Sequence, residues 1–498
     1  MEPAADASPQ AEREAARCVQ DAKAHAQDIA FCMMQMEVTQ PQILRAVPAF
    51  RVLQYFGRVL RHGGDFYHLS RPASTIDEFC SHSWHGSAWM KISLLLLMKN
   101  GVAAFVAGTL CALVMMCLFC LDMLPGYFRQ PFLGTGVAYK YGPWSLLTGV
   151  LVSCLFLLLW RPKQSMFLDR ICINQVDQIL KAEGVLNIGA ILKHSNSMLV
   201  LWDTTFASRL WCLFEIAAFL KSHEDGLEHL LIKPTYLAPS TLVISLCVTL
   251  MMLFELLVPF VSVYVVVLKL SLLALSCVTA ARLLFLYYGS VRALKEQLRE
   301  FRMQDAKCVC CDLGHLDACL GSAVICDREI VSECICTWFG SVDGFESAVR
   351  SRVSKALAGQ LGQFPCPYSW LLRATAPVLW AHMDMVAARI HAGDAEYAVA
   401  VAIQALAWWL ALFPSSLFLV AVSYKCYERP RRGPADLLAF ILSLLAPVLS
   451  LAGGVGYMYA CLRFIENAIV GATLFAATML IPTVLAWRTW SKGLSEAL

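Results

Sequence analysis

Long apolar runs alternate along the chain with shorter segments in which apolar and polar positions mix, and the two patterns predict different elements. Gly101 to Leu121, Pro143 to Trp160, Ser240 to Val258, Phe260 to Tyr288, Tyr397 to Tyr424, Leu437 to Ala460 and Ala468 to Trp487 are the long runs. Their lengths centre on the ~20 residues an α-helix needs to cross a hydrocarbon core of about 30 Å. The first two carry no charged residue and are joined through Asp122, Gly126, Arg129 and Lys140, the pattern of a helical hairpin. The next two break at Pro259 and hold Glu255, Lys269 and Arg282.

The last three runs leave two arrangements open. If all cross, the basic loop Lys425, Arg429, Arg431 and Arg432 and the end with Arg488 and Lys492 fall on the outer side, against the excess of Lys and Arg expected on cytoplasmic loops. If Tyr397 to Tyr424 enters and returns, bending at Pro414-Ser415-Ser416, both basic segments lie inside and six full spans remain. Six spans are the favoured count and seven the alternative.

The mixed segments read as strand and helix in turn. Thr75 to Trp84 leads to a turn at His85-Gly86 and a helix starting near Trp89; Met166 to Ile173 is a second strand, followed by a helix over Lys181 to Lys193. Ser197 to Trp202 is a third strand, Asp203 to Ser208 a turn, and Leu210, Leu213, Phe214, Ala217, Ala218 and Leu220 repeat at helical spacing before a fourth strand at Leu230 to Pro234. Short alternating units predict an α/β class with a parallel sheet covered on both faces, its chemistry beyond the carboxyl ends of the strands. The loops Ser81 to Gly86, Arg170 to Gly184 and Asp203 to Arg209 would converge there.

The expected organisation is a polar arm over residues 1–74, the first part of the α/β domain over 75–100, a membrane hairpin over 101–160, the central α/β part over 161–239 and a second hairpin over 240–288. A Cys-rich segment that closes the domain follows over 289–396, through a fifth strand and last helix sought in Asp327 to Leu361, and then a membrane region over 397–498. No charged stretch followed by a short apolar one opens the chain, so a cleaved signal peptide is not expected. With the amino-terminal arm in the cytosol, each hairpin returns the chain there, and Arg292, Lys295, Arg299 and Arg302 agree with that side.

Composition narrows the class. Of 498 residues, 58% are hydrophobic and 15% charged, with a mean hydropathy of +0.59, which excludes a chain that is soluble throughout. A net charge of +3 and the lack of a Gly-rich phosphate loop give no basis for nucleic-acid binding. The 21 cysteines lie mostly in apolar runs or in segments assigned to the cytosol, where thiols stay reduced. Cys308, Cys311, His315 and Cys319 approach the spacing of a zinc knuckle, but the gaps after the first pair depart from it and Cys310 is extra, so reduced structural cysteines are expected and no metal.

The order of these residues resembles a Toll/interleukin-1 receptor (TIR) domain of the plant and protist type. Phe79 to Trp84 resembles its first strand and loop, Leu168-Asp169 its second strand, Lys181 to Gly184 the basic-glycine turn, Ser195 to Leu201 the third strand, and His229 to Tyr236 the fourth. Ala207 to Glu215, with Trp211-Cys212 and then Glu215, is similar to the signature that opens the third helix; Leu168-Asp169-Arg170-Ile171-Cys172-Ile173-Asn174-Gln175 is also similar to the related fungal heterokaryon-incompatibility domains. The resemblance covers about a quarter of the chain, and membrane hairpins interrupt it after the first helix and after the fourth strand.

The resemblance implies a flavodoxin-like sheet and a signalling role, with either of two modes. Many TIR domains cleave the nicotinamide-ribose bond of NAD, which implies Glu215 as the catalytic carboxylate, with NAD as substrate and no cofactor. Others are only interaction modules, which implies self-association or other TIR-like partners for a membrane-held scaffold. Ser83, Trp84 and Asp169 are the candidate substrate-binding residues from their place at the strand ends, where His82 and Trp84 could stack on a base or ribose, although a Trp next to a membrane helix equally suits the lipid interface. Beside these readings, Glu215 could face solvent next to Arg209, Asp169 could cap a helix or pair with Arg170, and Trp211 and Cys212 suit core packing on an apolar stripe. A channel or transporter with a cytosolic regulatory domain is the competing class, for which Glu255, Lys269 and Arg282 are the intramembrane ionisable residues.

Overall fold

The computed structural model describes residues 23–129, 138–224, 226–258, 263–312, 315, 325–361, 367–427 and 434–492. The chain forms two compact units: residues 1–92, 162–235 and 292–360 build one, and residues 93–161, 236–291 and 361–498 the other.

The first unit is a mixed α/β domain. Its six strands are β1 (Arg45–Pro48), β2 (Arg71–Pro72), β3 (Glu78–His82), β4 (Ser165–Phe167), β5 (Met198–Trp202) and β6 (Leu230–Pro234), in the spatial order β2-β1-β4-β3-β5-β6. β4, β3, β5 and β6 run parallel, and β1 is antiparallel to both β2 and β4. Every residue of β3 and β5 is buried, as expected of central strands covered on both faces. Phe79 and Phe167 stack between neighbouring strands with ring centroids 4.7 Å apart.

The four parallel strands and the helix Leu210–Ser222 stand where the hydrophobic pattern puts them, within a residue or two at most ends. Two expectations change. The second strand stops at Phe167, and Asp169–Cys172 is a helical turn. The segment expected as a polar arm supplies β1, β2 and the helical segment Ala49–Arg61, which is broken where Gln54 to Gly57 leave helical geometry; strands of four and two residues containing Pro48 and Pro72 are too short to display alternation.

The expected fifth strand is replaced. Asp327–Phe339, Val342–Ala348 and Ser354–Leu361 are helices and Val349–Val353 a π-helical turn, so none of Asp327 to Leu361 joins the sheet. The free edge of β6 is met instead by one side chain: the Gln360 amide accepts the Ile232 N–H at 2.8 Å and donates to the Leu230 carbonyl. A primary amide offers the same donor and acceptor as a peptide group, so it satisfies the edge without presenting another edge beyond it.

Among its described residues the second unit is helical apart from an antiparallel pair, Tyr127–Arg129 with Tyr139–Tyr141. Among the described residues six helices are long and apolar enough to cross a membrane, Ala88–Cys120, Leu237–Leu257, Val263–Arg299, Ala395–Val420, Leu445–Phe464 and Ala468–Leu485, the marks of a polytopic integral membrane protein. Trp144–Leu159 is a shorter apolar helix of 16 residues. The buried Asp384 carboxylate accepts the backbone N–H groups of Ser145 and Leu146 at 2.7 and 3.0 Å at the start of this helix, and Asn100 donates to the Leu157 carbonyl at its end at 2.8 Å. Both satisfy terminal groups that have no partner within the helix.

Tyr397 to Tyr424 is not a returning pair. It lies in a continuous helical path from Ala395 to Tyr427, with a π-helical turn at Trp408–Leu412. Pro414 has no N–H for the Leu410 carbonyl four residues earlier, and the Tyr368 hydroxyl donates to that carbonyl instead. Lys269 and Glu255 form an ion pair at 2.8 Å.

Candidate functional site

The order of the parallel strands reverses between β3 and β5, and the loops leaving their carboxyl ends diverge at that point, where open α/β sheets bind ligands. The loop after β3 carries Ser83, Trp84 and Gly86. It is fastened to β5 by Lys91, whose Nζ lies 3.4 Å from Asp203 Oδ2 and donates to the carbonyls of Ser83 and, at 3.3 Å, Gly86. Gly86 leaves room for this contact: a Cβ there would lie 1.8 Å from Asp203 Oδ2 and would displace the carboxylate. Ser83 is buried with its hydroxyl 2.7 Å from Thr205 Oγ1, so it shapes the loop from within.

Trp84 is 40% exposed at the loop surface. Its Nε1 donates to Asp169 Oδ2 at 3.0 Å, and the Arg170 guanidinium lies 3.6 Å from its ring centroid. His82 packs against the same indole with centroids 4.7 Å apart. Asp169, the first residue of the turn after β4, also takes the Arg170 backbone N–H on Oδ1 at 2.7 Å, while the cap position itself falls to Leu168, whose side chain makes no capping bond. Trp84, Asp169, Arg170 and His82 thus form one contiguous group.

Glu215 belongs to the same group. On the helix Leu210–Ser222, Cys212 and Glu215 are three residues apart and share a face. The Cys212 thiol donates to the His82 carbonyl at 3.7 Å, and Glu215 Oε2 accepts a hydrogen bond from the Ser81 hydroxyl, so this face meets successive residues of β3. Glu215 is partly buried and engaged with the strand rather than pointing freely to solvent beside Arg209. Trp211 faces elsewhere and donates to Asp327 Oδ2 at 3.2 Å.

Burial dominates the electrostatics. It pushes Glu215 up to about 8; the Ser81 hydrogen bond opposes this, and the Asp169 charge adds to it. Burial likewise raises Asp169 to about 6 against the stabilising Arg170 amide, Arg170 charge and Trp84 N–H. His82 is held down at about 3 by burial and by the Lys91 and Arg170 charges, so it is neutral at physiological pH, and its Nε2 is buried with no hydrogen-bond partner among the described residues. Two carboxyl groups of raised affinity for protons, next to an exposed indole, suit general acid-base chemistry or stabilisation of a positive charge at a ligand.

Of the residues expected from the sequence, Trp84, Asp169, His82 and Glu215 are brought together. Ser81, Lys91, Asp203 and Arg170 were not among the expected site residues. The signal available for Ser81 is the polar content of β3 itself, since a buried hydroxyl in a strand between apolar strands calls for a partner.

Fold and site together define a polytopic membrane protein with an α/β domain and an acidic site at the carboxyl end of its sheet. Comparison with protein families, characterised proteins and solved structures gives no match.

Proposed function

We propose that this chain is a membrane-anchored TIR-like signalling protein that hydrolyses NAD at its nicotinamide-ribose bond, with Glu215 as the catalytic carboxylate. The observation that carries this reading is the meeting of Glu215 with Ser81, next to Asp169 and the exposed Trp84, at the point where the strand order reverses. In sequence order the parallel strands run 2-1-3-4 across the sheet, the flavodoxin-like order without its fifth strand, which supports the TIR-like assignment.

The chemistry follows from charge. The C1′–N bond of NAD breaks with its electron pair leaving on a neutral nicotinamide, and the ribosyl group gains positive charge at C1′ and its ring oxygen. An ionised Glu215 beside the ribose stabilises that charge, and water then adds at C1′ and gives up a proton. The pyridinium of bound NAD is itself a cation, so its arrival favours the ionised form of a carboxyl that burial otherwise keeps protonated. Trp84 offers a face for a base or the nicotinamide ring.

The ion pair between Glu255 and Lys269 provides a structural use for two intramembrane charges, and so supports an anchor over a conduction path. The test is nicotinamide release from NAD by the protein in nanodiscs at high density, beside Glu215→Ala. Turnover that the variant loses is the expected result. No turnover by folded, assembled wild type overturns it in favour of a non-catalytic scaffold that recruits TIR-like domains.

A further inference from the structure

We propose that Cys310, Cys311, His315 and Cys326 hold a structural zinc ion in the α/β domain. One ligand atom from each of the four lies within 4.8 Å of all the others. Cys311 Sγ and Cys326 Sγ are 3.7 Å apart, and Cys310 Sγ and Cys326 Sγ 4.0 Å. Tetrahedral zinc with Zn–S bonds of about 2.3 Å separates its sulfur ligands by about 3.8 Å. Disulfide bonding, at about 2.05 Å, is far from these separations.

The surrounding backbone is arranged for a metal-bound thiolate. The Asp327 N–H donates to Cys310 Sγ at 3.3 Å, the kind of outer contact that orients a ligand and accepts part of its charge. His315 adopts a left-handed conformation (φ 60°) with its N–H on the Cys310 carbonyl at 2.8 Å, so the chain turns back toward the cysteine pair it has just left. Cys308 Sγ is only 3.0 Å from Cys310 Sγ, closer than two ligands of one ion, and is therefore left outside the set. Cys319 lies outside the described residues; the fourth ligand the fold supplies is Cys326, at the start of the helix Asp327–Phe339.

Such an ion would clip together two points that touch the start of the Glu215 helix. Lys307 forms a parallel bridge with Arg209, donating to the Ser208 carbonyl at 2.7 Å and accepting the Leu210 N–H at 3.4 Å. Asp327 accepts from Trp211. Residues 307 and 327 flank the ligand set, so the metal fixes the strap that positions Leu210–Ser222. The metal site stands independently of the catalytic reading; only its effect on Glu215 rests on that reading.

The experiment is metal analysis of the full-length protein purified in detergent without chelators, together with a Cys311→Ser/Cys326→Ser double variant and a cobalt-substituted sample. About one zinc per chain is expected, with cobalt giving the intense absorption of a tetrahedral thiolate site. The double variant should carry none. The proposal is overturned by folded wild type that holds no zinc above background even after zinc is supplied under reducing conditions, or by equal zinc in wild type and variant. If the double variant fails to fold, the wild-type stoichiometry and the cobalt spectrum still decide. Zinc without NAD turnover keeps the metal site and rejects the proposed hydrolysis; turnover without zinc does the reverse.

Discussion

Ser81, at the carboxyl end of β3, donates its hydroxyl proton to the carboxylate of Glu215, 134 residues away in sequence, and this hydrogen bond joins the central strand to the helix that covers it. It also tunes the acid, because a donor favours the ionised form that burial disfavours. In Ser81→Ala the rise of kcat/KM with pH, expected to inflect near 8 in the wild type, should move to higher pH. Turnover at neutral pH then falls about tenfold for each pH unit the inflection moves. An unchanged inflection would separate Ser81 from the chemistry.

Glu215 and His82 should impose opposite pH dependences on stability. Glu215 is raised from 4.5 to about 8 on folding, so between these values the folded chain keeps a proton the unfolded chain has lost. Its stabilising contribution is complete below about pH 4.5 and is lost as pH rises toward 8. His82 is lowered from 6.5 to about 3, so its contribution is present above 6.5 and lost as pH falls toward 3. Glu215→Gln keeps an uncharged group of the same shape. Its thermal midpoint should match wild type in acid and exceed it above pH 8, whereas a difference constant with pH would count against a protonated Glu215.

Trp84 makes two separable contributions, through its ring and through its N–H. Trp84→Phe keeps a ring for Arg170 and ligand but removes the donor to Asp169, and should move the Asp169 titration above about 6 with a modest change in KM for NAD. Trp84→Ala loses both and should raise KM about tenfold, in line with about 1 to 2 kcal/mol for a partly desolvated cation and ring contact. Equal KM values for all three proteins would remove Trp84 from the binding surface.

Gln360 carries the edge of the sheet. Gln360→Leu preserves bulk but leaves the Ile232 N–H and the Leu230 carbonyl without their partner, at a cost of about 1 to 3 kcal/mol. It also opens β6 to pairing with another chain. Lower thermal midpoint with concentration-dependent self-association by light scattering is the expected outcome; a variant as stable and as dispersed as wild type would assign the edge to another protector.

The amino-acid sequence by itself determined the elements whose cause is local. Apolar runs long enough for a bilayer, the wholly buried β5, β6 at Leu230–Pro234 and the helix from Leu210 follow from hydrophobic composition and period, which act between near neighbours. Trp84 and Asp169 were legible as candidates because they follow the carboxyl ends of such elements, and Glu215, inside the helix Leu210–Ser222, because of the resemblance its neighbours carry. Tertiary structure alone decided the rest: Ser81 on Glu215, β1 and β2 as the antiparallel margin, Gln360 in place of a fifth strand, Cys326 as the cysteine beside Cys310 and Cys311, and Tyr368 satisfying the Leu410 carbonyl in an unbroken helix. Each of these is a polar partnership between groups remote in sequence. Its energy comes from satisfying a donor or acceptor that burial has cut off from water, and burial is settled only when the whole domain has packed.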